Sequence, residues 1–164
     1  MEQAPYTRYK GSAFATIGNS YARQKKYDLA KINFYQSIAA SSKIRNIRSL
    51  ADGYLAMSNV YRELGETDSS IYFGKKALEN YEATSIPSGI ADAYNSVSKT
   101  YRLVNNIDSA FRYLGLAMKA REDLSAEDKV KQFQNLNFDE RVRAQQVEEE
   151  KNQLQNRIRT YALL

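Results

Sequence analysis

Phe14–Tyr21 (FATIGNSY), Tyr54–Tyr61 (YLAMSNVY) and Tyr94–Tyr101 (YNSVSKTY) are one pattern written three times, at 40-residue intervals. Each opens on an aromatic, Phe14, Tyr54 or Tyr94, and closes on Tyr21, Tyr61 or Tyr101. Ile17, Met57 and Val97 share an inner slot, and the small residues Gly18, Ser58 and Ser98 share the next. Offsets of three, four and seven put these side chains on one helical face. A small residue inside an aromatic stripe lets a second helix come close.

Working outward, the first helix is predicted from near Pro5–Thr7 to about Arg23, since proline is tolerated in a first helical turn. Gln24–Tyr27 makes a turn, and Asp28 is expected to cap the next helix, as are Asp68 and Asp108 in the later copies. That second helix carries Ala30, Phe34, Ser37 and Ile38, matched by Ser70, Gly74, Ala77 and Leu78, then by Ala110, Leu114, Ala117 and Met118. Gly74 falls where a large residue is expected, and Tyr72 and Phe73 are expected to fill the gap. Ser41–Asn46 and Ala83–Pro87 link the units. Two-helix units at a fixed period predict an all-α solenoid of three hairpins, about 5–44, 45–84 and 85–124.

Composition narrows the chemistry. The 164 residues contain neither Cys nor His, which removes thiol and Ser-His nucleophiles, histidine bases and the usual zinc sites. No catalytic, metal or cofactor site is expected. The net charge of +5 reads as a solvated surface with a mild preference for acidic partners. Nucleic acid is not an expected partner, because no basic stripe is interleaved with exposed aromatics and the tyrosines are committed to packing. The N-terminus has no basic region followed by an apolar core, and no apolar run approaches the roughly 18 residues of a membrane span.

The slots resemble the tetratricopeptide repeat (TPR), an aromatic, then Leu-Gly, then Tyr, followed by Ala, an aromatic and Ala at fixed offsets. Phe14, Ile17, Gly18, Tyr21, Ala30, Phe34 and Ser37 occupy them in the first unit, with counterparts in the second and third. The usual unit has about 34 residues, so this is a longer-helix variant. The resemblance implies a right-handed superhelix whose concave groove holds a peptide or protein segment. It also implies that Asn19, Asn59, Arg62, Asn95, Lys99 and Arg102 line that groove. Asn can bond an extended backbone in both senses, and Arg can pair with a carboxylate. The clamp that some co-chaperone repeats use for a terminal carboxylate needs Lys or Arg where this chain has Ala15, Asp92 and Ser96, so that activity is not expected.

Residues 125–164 differ in composition. Ser125-Ala126-Glu127-Asp128 reads as a helix start, and no Pro or Gly interrupts the chain from there to Leu164. Val130, Phe133, Leu136 and Phe138 are apolar enough to cap the third unit. Further on, Ala144, Val147, Leu154, Ile158 and Tyr161 fit the seam of a two-stranded coiled coil, interrupted by Asn137, Glu140 and Lys151. This C-terminal helix is therefore expected to cap the solenoid and then to form a homodimer.

Arg157 to Leu164 (RIRTYALL) reads as the water–lipid boundary before a membrane helix, with the span expected just after Leu164. Val147–Leu164 resembles the stretch preceding the single span of bacterial membrane-bound sensor proteins that carry such repeats. That resemblance implies a sensory input domain of a two-component protein, a sensor histidine kinase or a membrane-tethered transcription regulator, with the repeats periplasmic. A cytosolic adaptor that only holds a partner is the competing expectation, and Arg157 and Arg159 favour the cytoplasmic side.

Overall fold

The computed structural model describes the backbone of Pro5–Ala162, and the side chains of residues 9–132, 134, 135 and 137–153. Six helices lie in order along the chain: α1 (Pro5–Arg23), α2 (Tyr27–Lys43), α3 (Ile47–Glu63), α4 (Thr67–Ala83), α5 (Pro87–Leu103) and α6 (Ile107–Ala162). Among the described residues there is no strand. The chain divides into two compact units, with the boundary between Leu124 and Ser125.

The turns set the regularity of the first unit. Lys25, Arg45, Gly65, Ser85 and Asn105 all take positive φ, between 49° and 77°. They are evenly spaced, at half the period of the sequence repeat. In each turn the amide just after this residue bonds back to the carbonyl of Tyr21, Ser41, Tyr61, Tyr81 or Tyr101, at 2.9–3.1 Å. The left-handed residue's own amide bonds the next carbonyl along. This is a Schellman stop, which satisfies carbonyls that a helix end would leave unpaired. The residue after it is already the N-cap of the next helix, and α2 to α5 are each 17 residues long. Only Gly65 is a glycine, so the half-period leaves no residue-type signature in the sequence.

The caps differ from expectation. Lys26 and Glu66 precede α2 and α4 without a side-chain bond, and Asp28 and Asp68 lie inside the first turn. There they face the positive helix end without capping it, and Asp28 also pairs with Lys31 at 3.2 Å. The side chains that do cap are Asn46, which accepts from the Ser49 amide at 3.1 Å, and Asn106, which accepts from Ser109 at 3.1 Å. Nor does a helix start at Ser125. α6 runs through it, because nothing between Leu116 and Ala126 lacks a backbone donor or needs a left-handed conformation.

Within the first unit, small and large residues interlock both within a hairpin and between hairpins. A Cβ on Gly18 would lie 2.6 Å from the Phe34 ring. Phe34 is 1% exposed and shares a buried cluster with Ala30, Met57 and Val60. In the second hairpin the large residue comes from the other side. Gly74 has no room for a Cβ because Val97 of α5 fills the space, at 2.6 Å. The expected filling by Tyr72 and Phe73 is incorrect: Tyr72 is exposed, and Phe73 stacks on Tyr61 at 5.4 Å. The end hairpins show the same slots uncovered, since Met57 and Val97 are 0% exposed whereas Ile17 is 44%. Leu114, in the slot of Phe34 and Gly74, is 40% exposed.

Within the second unit Val130, Phe138 and Val147 are exposed. The side chains of Phe133, Leu136, Leu154, Ile158 and Tyr161 lie outside the described residues.

Two measurements check this account. Arg45→Gly and Ser85→Gly should each raise stability in urea by roughly 0.5–1 kcal/mol, and Gly65→Ala should lower it by roughly 1–2 kcal/mol; unchanged midpoints would show the turns to be unstrained. Gly74→Ala should cost about 1–3 kcal/mol despite its better helix propensity, and adding Val97→Ala should cost less than the sum of the two single changes.

Candidate protein-binding face

The backbones of α1 and α3, and of α3 and α5, come close, whereas those of α2 and α4 do not, and these two helices touch through the Tyr35 and Phe73 rings. The first helices of the hairpins therefore form the inner side of the first unit. All six residues expected to line a groove fall along it, in two separate hollows. Asn19, Asn59 and Arg62 border one of about 230 Å³ together with Ala22 and Ala56. Asn95, Lys99 and Arg102 border another of about 300 Å³, floored by Ile107, Phe111 and Leu114.

The two groups differ in what is left free to bind. Asn59 Oδ1 accepts from Arg62 Nη1 at 2.7 Å and from Ser96 Oγ at 2.9 Å. Arg62 also donates to Ser96 Oγ at 3.1 Å, and its side chain is 16% exposed. These two residues therefore hold α3 to α5. Their bonds continue into a buried layer of hydroxyls: Ser58 Oγ lies 3.1 Å from Ser96 Oγ, and Ser70 Oγ lies 2.8 Å from Thr100 Oγ1. Ser58 and Ser70 also exchange hydroxyl-to-carbonyl bonds at 2.8 Å across α3 and α4. Unpaired, such buried groups would each cost about 1–3 kcal/mol, so the layer fixes one registry of the second hairpin on the third. Sequence reasoning missed this layer because single serines carry no signal until the helices face each other. Lys99 and Arg102 are exposed, with no ion pair among the described residues.

Phe73 and Tyr113, in equivalent positions of successive hairpins, stack on Tyr61 and Tyr101 at 5.4 Å in each case. Asn33 in the corresponding first-unit position hid this aromatic slot from the sequence reading. Tyr81 is buried against Gly89, where a Cβ would meet its ring, and its hydroxyl donates to Asp52 at 2.6 Å. Burial and the Asp52 carboxylate push the Tyr81 phenol well above its ordinary value. The hydrogen bond with Tyr35, aided by partial burial, pushes Tyr61 up to about 12.

Among the described residues no cluster of acids could hold a metal ion, and no helix is long and apolar enough to cross a membrane.

A spaced aromatic–small–tyrosine stripe on stacked hairpins whose first helices share one side defines a helical repeat protein. Residues 11–83 match the tetratricopeptide repeat model. The fold is similar to the crystal structure of the TPR domain of Arabidopsis FLU, with a TM-score of 0.67 at 14% identity. That likeness covers 71% of this chain and 98% of the other. It is also similar to BtubC (BKLC) from P. vanneervenii, with a TM-score of 0.64 at 11% identity, over 70% of this chain and 48% of that one. No curated protein matches the sequence. Tetratricopeptide repeats are in general protein-binding units, and that is the class of function the fold supports.

Tyr81 gives a pH-dependent check. A phenol held above its ordinary value of 10.0 stabilises the fold fully below pH 10, and that contribution is lost as pH rises through the folded value. Tyr81→Phe should lower stability at pH 7 by about 1 kcal/mol and flatten the alkaline fall in a series of urea titrations. An equally steep fall in the variant would dissociate Tyr81 from it.

Proposed function

We propose that the chain is the ligand-binding input region of a membrane-bound two-component signalling protein, most specifically a sensor histidine kinase. In this reading a peptide or protein segment binds the side formed by α1, α3 and α5, and the C-terminal helix passes the signal on. The observation that carries the binding half is the row of polar side chains from Asn19 to Arg102 along that side. A ligand there acts only if it prefers one arrangement of the hairpins over another. The Asn59–Arg62–Ser96 contact, which ties two hairpins together beside the row, is where that preference would be registered.

The signalling half rests on Val147–Leu164, where basic residues precede Tyr161 and an apolar end as they do beside a membrane span. Homodimerisation belongs to the same reading, through Ala144, Val147, Leu154, Ile158 and Tyr161. Ala144 and Val147 are exposed as that requires. The parent would then lie in the cytoplasmic membrane with this region on the periplasmic side. Arg157 and Arg159 favour the cytoplasmic side and with it a second reading, a cytosolic adaptor, while the input of a membrane-tethered transcription regulator is a variant of the first.

The residues encoded after Leu164 decide between them. About twenty apolar residues followed by a module with a phosphorylatable histidine are expected; a polar continuation or a stop would remove the sensor-kinase reading. Sedimentation should show a dimer that is lost when residues 140–164 are removed, and an unchanged monomer would rule out the seam.

A further inference from the structure

The outer face of the third hairpin repeats, with no partner helix from the first unit among the described residues, an interface that the first unit forms twice, and its residues specify what would fill it. The incoming helix varies with the surface it meets. Where α1 offers Asn19 and Ala22, α3 brings Ala56 beside them. Where α3 offers Asn59 and Arg62, α5 brings Ser96, which bonds both. At this position α5 itself offers Lys99 and Arg102. One residue along, Phe34 takes Met57 and Gly74 takes Val97; α6 offers Leu114. Three further on, Ala30 shares its cluster with Val60, whereas Ser70 takes Thr100; α6 offers Ala110. Neutral slots meet neutral residues, and hydroxyls meet hydroxyls.

We propose that this face binds an amphipathic helix of another protein. That helix carries a carboxylate, an aliphatic residue directly after it, and a second aliphatic residue three positions further on. The carboxylate sits between Lys99 and Arg102, and the aliphatic pair covers Leu114, Ala110 and Phe111. This rests on the protein-binding reading above and names the partner for one part of that side. Ile107, Phe111 and Leu114 are 47%, 70% and 40% exposed, an apolar floor beside two cations without an ion pair among the described residues. A binding residue of opposite charge gains most where apolar neighbours exclude water.

The charge pattern also selects against the chain's own candidates. α1 is the helix that a second copy would present in a head-to-tail stack, and it contains no acid but has Arg8, Lys10 and Arg23. In residues 125–164 no Asp or Glu is followed directly by an apolar residue.

The probe is a synthetic peptide of residues 87–103 carrying Ser96→Asp and Thr100→Val. It is held helical by a staple between positions 94 and 98, the side that α5 turns toward α6. Titrated as a labelled peptide into the intact 164-residue chain, it should bind with an affinity that falls with added salt. The same peptide with Ser96→Lys should bind about tenfold more weakly or worse. Lys99→Glu with Arg102→Glu in the protein should reverse that order, and Leu114→Glu should abolish binding of both. Circular dichroism of each variant shows whether the hairpins remain folded, and the reversed preference is a gain that misfolding cannot imitate.

No binding of the Asp peptide, or indifference to the charge exchange, overturns the proposal. So does self-association of the chain that Leu114→Glu abolishes, since a second copy would then be the occupant. Binding that emerges only after Val130→Asp and Phe138→Asp also overturns it, with the chain's own C-terminal segment as occupant. None of these failures bears on a ligand held in the hollow beside Asn19, or on the residues encoded beyond Leu164.

Discussion

To stack hairpins at a constant pitch, the chain must reverse direction at even intervals and in the same short space each time. One residue per turn is forced into the left-handed region, and the amides around it close the preceding helix. Because the residue after it opens the next helix, helix length is fixed by the spacing of these turns. The aromatic stripe can recur once per hairpin only because two such turns intervene. Side chains then need only choose neighbours within a frame that the backbone has set. Four of the five left-handed residues are not glycine, so the frame is maintained against a cost of roughly 1 kcal/mol at each. Burial between hairpins must outweigh it.

That burial is of two kinds. The first and second hairpins meet through aromatic and aliphatic groups around Phe34 and Met57. The second and third meet through an apolar cluster of Leu78, Tyr81, Ala93 and Val97, to which hydroxyls, Asn59 and Arg62 add a directional layer. The apolar contact tolerates small changes of angle, because dispersion and water exclusion are not directional. The hydroxyl layer does not, because its bonds weaken steeply when misaligned. The two junctions therefore differ in compliance even though their helices are the same length.

Much of the fold was legible in the sequence for a physical reason. Phe14, Tyr54 and Tyr94 with their partners lie on one helical face and recur in register, and packing demands of this kind leave periodic traces. The expected groove residues share the side of α1, α3 and α5, but their neighbours were not legible in the sequence. Asn59 and Arg62 stand where a ligand contact is expected, yet they are taken by Ser96, whose part depends on which helix faces which. The caps were misassigned because an acid near a helix start serves equally as a first-turn charge. The true caps, Asn46 and Asn106, sit earlier, in turns with no shared residue type. Gly74 looked like a defect because its complement, Val97, is distant along the chain and belongs to another hairpin.

Linear arrays of this sort share cohesion only between adjacent members. The middle pair, α3 and α4, is flanked on both sides, whereas Ile17 and Leu114 mark borders with half the cohesion. Amide exchange would accordingly be slowest at the centre and quicken toward each border. Transient fraying would start at α1 or at the third pair and spread inward. An array built this way loosens first at its two borders and keeps its middle closed longest.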